Sequence, residues 1–302
     1  MLRSSHNASS SALIWLLALS HRRANVVNVT TTIDYAAAGP LTDLSDIGAE
    51  ALSGLPADPV ALCAVVPGLV VHPLATDGLG LASERFAESQ LRSAGSIARR
   101  LLELDRAPLV VPRDPGSRVV GTCRNFVVLS CALLRWRGIP VRARCGFGMY
   151  FQAGLGLDHW ITEYWSDQQE RWVRVDTQHL ENDFVAAPAD LRPGEFLTGG
   201  EAWGAVRAGT ADGQKFGVVG TENFGPAEIR GNAVRDLAAL AKQEMLPWDE
   251  WGRMEESYRG ETGADYDALV DEIAAACAAD DPGAVASLYD REELRVPAGL
   301  LC

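Results

Sequence analysis

Cys123, His159 and Asp176 are residue types that together support nucleophilic catalysis, and they follow one another along the chain in that order. A thiol attacks a carbonyl as its thiolate, yet an ordinary cysteine, with a pKa of about 8.5, is mostly protonated at neutral pH. Thr122 is a suitable helix N-cap and precedes an apolar run of helical period. Cys123 is therefore predicted in a first helical turn, where free N–H groups and the helix dipole favour a thiolate and can hold an oxyanion. Arg124 adds positive charge beside it.

The base and its partner are predicted to lie on a β-hairpin. The runs His159–Trp165 and Arg171–Asp176 are rich in aromatic and β-branched residues, and the polar segment 166–170 between them is typical of a hairpin loop. Closing the hairpin symmetrically between Trp165 and Glu170 pairs residues whose numbers sum to about 335, which places His159 directly opposite Asp176. The carboxylate can then accept a hydrogen bond from one imidazole nitrogen while the other faces the thiol. A one-residue slip would move both groups to other faces, leaving a surface histidine and a turn aspartate.

Other candidate sites carry weaker signals. Gly154-Leu155-Gly156-Leu157 lacks the third glycine and following helix of a nucleotide loop, so it is interpreted as a flexible connection that borders the site. Cys145 with His159 does not complete a four-ligand set, and no metal or other cofactor is predicted. Cys131, two turns beyond Cys123 on the predicted helix, is expected to be a packed core residue.

Aromatic and histidine side chains near the hairpin remain open to two interpretations. Trp160, Trp165, Trp172 and Tyr164 could form an aromatic wall for an acyl group or simply pack against the core. His179 is a reserve candidate for a substrate contact, with a solvated loop histidine as the alternative.

The helices and strands that must position these residues can be predicted from the hydrophobic periodicity and from the positions of glycine and proline. A helical pattern is predicted from Asp43 to Leu104, and a loop follows at Pro108–Ser117. The Cys123 helix is predicted to stop at Gly138-Ile139-Pro140, before a half-buried strand that alternates from Val141 to Phe147. The chain beyond Phe184 is irregular to Gly225 and ends in helices around Ala233–Met245 and Tyr266–Ala279.

The charge distribution constrains the partners. The net charge of −13 argues against a nucleic-acid partner, which requires many Lys and Arg to displace counterions. Eleven Arg and three acidic residues lie between Arg92 and Arg144. If these arginines form one basic patch, it would suit a small anionic substrate or carrier. The alternative is that they are solvated and scattered over several faces.

The cysteine pattern and the N-terminal region bear on the compartment. The six cysteines contain no CxxC pair and most have apolar neighbours, which favours a reduced, cytoplasmic protein. The apolar run Ala12–Leu19 is too short to span a bilayer and lacks a clear cleavage site, so neither a membrane anchor nor a signal peptide is expected. Residues 1–32 are predicted to be a disordered tail.

Four motifs together resemble the transglutaminase-like superfamily. They are the Gly121–Asn125 helix start, Gly138-Ile139-Pro140-Val141-Arg142, Asp158-His159-Trp160 and Trp172-Val173-Arg174-Val175-Asp176. The resemblance runs from Arg118 to Thr177 and implies catalytic roles for Cys123, His159 and Asp176. It also implies a papain-like α+β fold, in which the cysteine helix packs on an antiparallel sheet. In Thr122-Cys123-Arg124 the chain departs from the many relatives that have an acidic residue beside the cysteine, which leaves the substrate preference open.

The resulting expectation is a single transglutaminase-like domain over residues 33–302, with a catalytic core at 85–180, helical flanks and a C-terminal helical extension. Its predicted activity is cysteine-dependent acyl transfer on a small-molecule, peptide or carrier-bound thioester or amide, with Thr122, Arg124 and Trp160 as substrate-binding residues. A cysteine peptidase or amidohydrolase is the first alternative. A non-catalytic protein-binding module that retains the fold is the second.

Overall fold

The computed structural model describes residues 32–301. It is a mixed helix and sheet structure with a curled antiparallel sheet, which confirms the predicted α+β class. The predicted tail lies outside the described residues except for Thr32. The helices are α1 Pro59–Cys63, α2 Ala94–Leu104, α3 Cys123–Trp136, α4 Gly199–Arg207, α5 Pro226–Leu240, α6 Met254–Tyr258, α7 Ala264–Ala278 and α8 Pro282–Tyr289. The strands are β1 Val70–Val71, β2 Val119–Val120, β3 Val141–Gly148, β4 Gly156–Ser166, β5 Arg171–Val175, β6 Phe196–Thr198 and β7 Phe216–Gly217.

The main sheet is built around β3 and β4, in the order β5-β4-β3-β6 with antiparallel neighbours. The short strand β7 pairs in parallel with the start of β4. A separate parallel pair, β1 with β2, leads directly into α3. The site residues therefore come from elements that meet at one end of this sheet.

Helix α3 begins and ends where its sequence signals predict. Thr122 is the N-cap, and its backbone N–H donates to Oδ1 of Asn125 at 3.1 Å. Gly138 has a φ of 73°, a left-handed conformation that glycine adopts without strain, and it follows the last turn. Every α3 residue from Cys123 to Arg135 is buried, so this helix is the centre of the molecule rather than a surface element.

The two faces of strand β3 bury different kinds of side chain, apolar on one face and charged on the other. Val141, Ala143 and Cys145 belong to an apolar core shared with α3. Arg142 and Arg144 point to the other side, where α5 packs, and their guanidinium groups pair with buried carboxylates. The expectation of a half-buried strand was therefore wrong. The alternation is real, but charge pairing lets both faces be buried.

Gly146 allows the sheet to close tightly beside the site. It pairs with His159 on one side and with Thr198 on the other. A Cβ atom at this position would lie 2.1 Å from the carbonyl oxygen of Leu197, so a larger residue would force the backbones apart.

The N-terminal helical prediction was largely wrong. Between Asp43 and Leu104 the α-helices are α1 and α2, and the remainder is turns and short 3₁₀ segments. Prolines at 56, 59, 67 and 73 interrupt the apolar period, because proline cannot donate the helical hydrogen bond. The predicted C-terminal helices are present as α5 and α7.

No helix in residues 32–301 is long and apolar enough to cross a membrane.

Candidate active site

A cleft of about 550 Å³ opens at the end of the sheet where α3 begins. Its lining comes from the β1 region, the N-terminus of α3, the start of β4 and the segment that follows β5. Cys123 and His159 both line it, and the exposed side chains Leu74, Phe184 and Val219 also do so. The cleft therefore gives an outside molecule a route to the predicted nucleophile and base.

Cys123 occupies the first residue of α3 and is 7% exposed. The first N–H groups of a helix have no intrahelical partner, so they and the positive end of the dipole face this sulfur. The imidazole of His159 is within hydrogen-bonding reach of Cys123. The sulfur and the imidazole thus lie side by side in one cleft.

His159 and Asp176 meet in the interior. Nε2 of His159 lies 3.1 Å from Oδ2 of Asp176, and both side chains are almost completely buried. The approach is not aligned as a linear hydrogen bond, so electrostatic attraction dominates it. The remaining ring nitrogen, Nδ1, is the one left for the thiol.

The predicted hairpin register was wrong by two residues. Thr162 pairs with Val175, which would place Asp176 opposite Ile161 rather than opposite His159. Because side chains alternate with a period of two, an even shift leaves both groups on the same face. Asp176 itself lies just past β5 and caps a short 3₁₀ helix, Thr177–His179.

The charges of this pair stabilise one another. Burial alone lowers the pKa of the His159 imidazole, but the Asp176 carboxylate and the Cys123 sulfur outweigh it and raise the pKa to about 10. Burial raises the pKa of Asp176, while His159, His179 and the Tyr150 hydroxyl together hold it below its ordinary value. An imidazolium between a carboxylate and a sulfur is thus the favoured charge state near neutral pH.

Tyr150, which the sequence analysis missed, completes the surroundings of the carboxylate. Its hydroxyl donates a hydrogen bond to Oδ2 of Asp176, and its ring stands edge-on to His159 with centroids 6.4 Å apart. Phe151 packs edge-on against the other part of the imidazole, at 5.0 Å. These rings exclude water from the His159–Asp176 contact, which strengthens its electrostatics.

The other described cysteines lie in less reactive surroundings. Burial raises the pKa of Cys63 to about 12, and it also raises the pKa values of Cys131, Cys145 and Cys277. Cys123 is the one cysteine among residues 32–301 that lines the cleft. Cys131 lies in the apolar core, in agreement with its predicted packing role.

The three predicted substrate-binding residues do not line the cleft. Arg124 is fully buried, and its guanidinium donates to the carbonyl oxygens of Glu244 and Leu91, which fixes α3 in place. Trp160 is also fully buried in the core behind α3. Thr122 is occupied as the N-cap. Proximity in sequence suggested these residues, whereas the helical and strand periods turn their side chains away from the cleft.

Five of the eleven arginines in the arginine-rich stretch are buried, and others form ion pairs. Arg135 forms a buried ion pair with Glu244 at 2.9 Å, and Arg92 pairs with Asp249 at 2.6 Å. The sequence left open a basic surface patch or solvated arginines scattered over several faces, and for Arg92 and Arg135 the structure shows charge pairs instead. Arg118 is the member of this stretch that lines the cleft.

Two further histidines face the same cleft. His72 accepts a hydrogen bond at Nδ1 from the N–H of Leu74, and burial lowers its pKa to about 4, so it is neutral near pH 7. His179, the reserve candidate, lines the cleft between Phe151 and Phe184. Burial is also the main reason that the pKa of His179 is lowered. Neither the period nor the spacing of the sequence indicated His72, because it comes from a distant segment.

One group of side chains could hold a metal ion. His159, Asp176 and His179 each offer a ligand atom, and these atoms lie within 4.8 Å of one another. Two imidazoles and a carboxylate are a donor set that zinc and other divalent transition metals accept. A metal ion there would occupy the atoms that otherwise pair the base with its carboxylate. Sequence spacing missed this set because the two histidines belong to different elements.

One of three comparisons with known proteins found a match, and that match covers the central segment of the chain. Searches of curated proteins and of solved structures each found no match to the chain. A scan against family models matched a segment that begins before β2, contains α3, β3, β4 and β5, and includes Cys123, His159 and Asp176. At the level of that superfamily, such a domain indicates cysteine-dependent acyl transfer or hydrolysis, and its members are typically enzymes. Residues 112–177 of this chain match the transglutaminase-like superfamily.

Proposed function

We propose that this protein is an acyl-transfer enzyme in which Cys123 is the nucleophile, His159 the base and Asp176 the residue that orients the base. The observation that carries the proposal is the meeting of these side chains at the cleft. A helix N-terminus presents the sulfur, the imidazole is within its reach, and a buried carboxylate lies 3.1 Å from the other side of that imidazole.

The chemistry follows from the positions of the atoms. The Cys123 thiolate attacks the carbonyl carbon of an amide or thioester, and the charge that moves to the carbonyl oxygen is held by first-turn N–H groups of α3. The C–N or C–S bond breaks as the His159 imidazolium gives its proton to the leaving group. An amine or water then attacks the thioacyl group and passes a proton to His159, which regenerates the thiolate–imidazolium pair.

The direct test is intact mass after exposure to a panel of thioesters and activated amides. We expect an adduct of the acyl mass on the wild-type chain and none on Cys123→Ala, whereas Cys131→Ala should label normally because its sulfur lies in the core. We expect the loss of the nucleophile to lower turnover at least about 10³-fold. Full labelling of Cys123→Ala would place the nucleophile elsewhere.

Hydrolysis and transfer differ in the acceptor. Incubating the acyl enzyme with a labelled amine, and in parallel with water alone, separates an amide-forming enzyme from a peptidase or amidohydrolase. Incorporation of the amine in competition with water would favour transfer. Exclusive release of the free acid would favour the hydrolase alternative.

A non-catalytic binding module is the rival from another class. It is tested by iodoacetamide at mildly acidic pH, where a free thiol is almost entirely protonated. The enzyme proposal requires Cys123 to be alkylated faster than free cysteine under these conditions. A rate equal to that of free cysteine would favour the binding module.

The proposal extends to the organisation and setting of the chain. Residues 33–302 are assigned to one transglutaminase-like domain with its catalytic core at 85–180, supported by the way helices from both halves of the chain cover β3. The described cysteines are free and buried, which supports a reducing, cytoplasmic setting. Limited proteolysis tests the assignment, because one domain should resist internal cleavage across the whole range.

A further inference from the structure

The walls of the cleft are mainly apolar. Val70 and Val71 of β1, Phe126 of α3 and Leu157 of β4 line it, together with Phe151 and Phe184. A cleft of about 550 Å³ with such walls suits the apolar body of a small acyl donor. Apolar walls alone do not identify the donor, because they accept many acyl groups.

Arg118 adds a cation to these walls. Its Nε atom donates to the carbonyl oxygen of Arg113 at 3.0 Å, which fixes the plane of the guanidinium. Within residues 32–301 it forms no ion pair, in contrast to Arg92 and Arg135 from the same arginine-rich stretch. The terminal nitrogens of Arg118 thus remain available at the cleft. A fixed guanidinium suits a carboxylate, which it can bind through two parallel hydrogen bonds.

A buried polar atom beside the cleft also lacks a partner. Oε1 of Gln178 is buried and accepts no hydrogen bond from any described residue, although this side chain lines the cleft. An unsatisfied buried acceptor is costly unless a ligand or water donates to it. Two acidic residues also line the cleft. Glu181 is exposed and therefore better screened by solvent than the half-buried Arg118, and Oδ1 of Asp158 already accepts a hydrogen bond from Asn232. The polar groups indicate a donor that is not a plain hydrocarbon chain.

We propose that the acyl donor combines an apolar body with a carboxylate, and that Arg118 is the residue that recognises this carboxylate. The inference rests on the proposed acyl transfer and specifies its substrate class. The apolar body lies along Phe151 and Phe184, and the reacting carbonyl reaches Cys123 in the same cleft.

A matched pair of probes tests this proposal. The adipoyl thioester of N-acetylcysteamine and its ω-methyl ester have nearly the same shape, and they differ in one negative charge. We expect wild-type kcat/KM to favour the carboxylate probe about 10–100-fold, the range for a hydrogen bond to a charged group. In Arg118→Gln this ratio should fall close to one, and Arg118→Lys should recover part of it. Arg106→Gln, which alters an exposed arginine outside the cleft, should keep the wild-type ratio.

The same pair separates failure of this inference from failure of the proposed function. Equal kcat/KM values in the wild-type protein, or an unchanged ratio in Arg118→Gln, would overturn the role of Arg118 while acyl transfer stands. If neither probe is turned over, equilibrium binding of both probes to Cys123→Ala still tests recognition. Tighter binding of the carboxylate probe, lost in the double variant with Arg118→Gln, would support the inference, and equal binding would refute it.

Discussion

Oδ2 of Asp176 accepts a hydrogen bond from the Tyr150 hydroxyl and also lies 3.1 Å from Nε2 of His159. One carboxylate oxygen therefore serves both the base and a tyrosine that holds the carboxylate in position. Tyr150 is not among the residues that line the cleft, and its hydroxyl is engaged by Asp176, so its role in the proposed mechanism is positional.

Removing this hydroxyl should slow the reaction without unfolding the protein. We expect Tyr150→Phe to lower kcat/KM about tenfold, as for loss of one hydrogen bond to a charged group. Because the hydroxyl helps to lower the pKa of Asp176, the acidic limb of the pH–rate profile should also move to higher pH. A variant with wild-type rate and an unmoved acidic limb would exclude the positional role. Thermal melting checks that the fold is retained.

The charge state of His159 predicts how stability varies at alkaline pH. Its folded-state pKa, raised from 6.5 to about 10, means that the folded protein holds this proton more tightly than the unfolded chain. The resulting stabilisation is fully present below about pH 6.5 and is lost as the pH rises towards 10. We expect the difference in urea midpoint between wild type and His159→Gln to shrink from pH 6 to pH 10. A difference that grows over this range would contradict the imidazolium assignment.

Under the proposed function, zinc should inhibit turnover by competing for His159. The ligand atoms of His159, Asp176 and His179 lie within 4.8 Å, so a bound ion would remove His159 from the reaction. We expect inhibition that a chelator reverses, and His179→Ala should raise the half-inhibitory concentration about tenfold or more, by loss of one ligand. His72→Ala, in the same cleft but outside this group, is the control. Activation by zinc, or loss of activity with the chelator alone, would instead favour a metal-dependent reaction.

The buried cluster of charges around Glu163 predicts how the stability of the protein changes in acid. Glu163 forms ion pairs with Arg142, Arg144 and Arg174. Burial raises the pKa of the Glu163 carboxyl, but the charges of these arginines outweigh that effect and hold the pKa well below its ordinary value. Glu163→Gln should lower the free energy of unfolding by about 3–5 kcal/mol at neutral pH, because it leaves buried cations without their anion.

The sign of the pH dependence is set by the same depressed pKa. The stabilisation is present above the unfolded-state pKa of Glu163 and fades as the pH falls below it. Chemical denaturation of wild type and Glu163→Gln at pH 7 and pH 3 should therefore give a smaller difference at pH 3. An equal difference at both pH values would show that the charge of Glu163 is not its source.

The parts of the fold that the sequence predicted are those with local signals. Thr122 and Gly138 bracket α3 because capping and left-handed glycine are properties of a few neighbouring residues. The β4–β5 hairpin was predicted from two runs rich in aromatic and β-branched residues and the polar segment between them. Its register was missed because the last pair is Ser166 with Arg171, so the loop is centred one residue further along the chain than the symmetric closure assumed.

The environment of the site depended on contacts that sequence separation conceals. His72 and Tyr150 reach the cleft region from segments far from Cys123 along the chain. The partners of the arginines could not be predicted either, because Arg135 pairs with Glu244, which is more than a hundred residues away along the chain. Composition revealed the excess of positive charge in this stretch but did not distinguish internal pairing from a binding surface.

Asp176 also caps the short 3₁₀ helix that follows it, since the N–H of His179 donates to its Oδ1 at 3.3 Å. The two oxygens of one carboxylate thus join the orientation of the base to the wall segment that carries Gln178 and His179. Under the proposed function, an acyl donor that displaced this wall segment would also displace the carboxylate that contacts His159, so the fit of the donor and the orientation of the imidazole would change together. Asparagine at this position would preserve the turn while removing the charge, whereas alanine would abolish both.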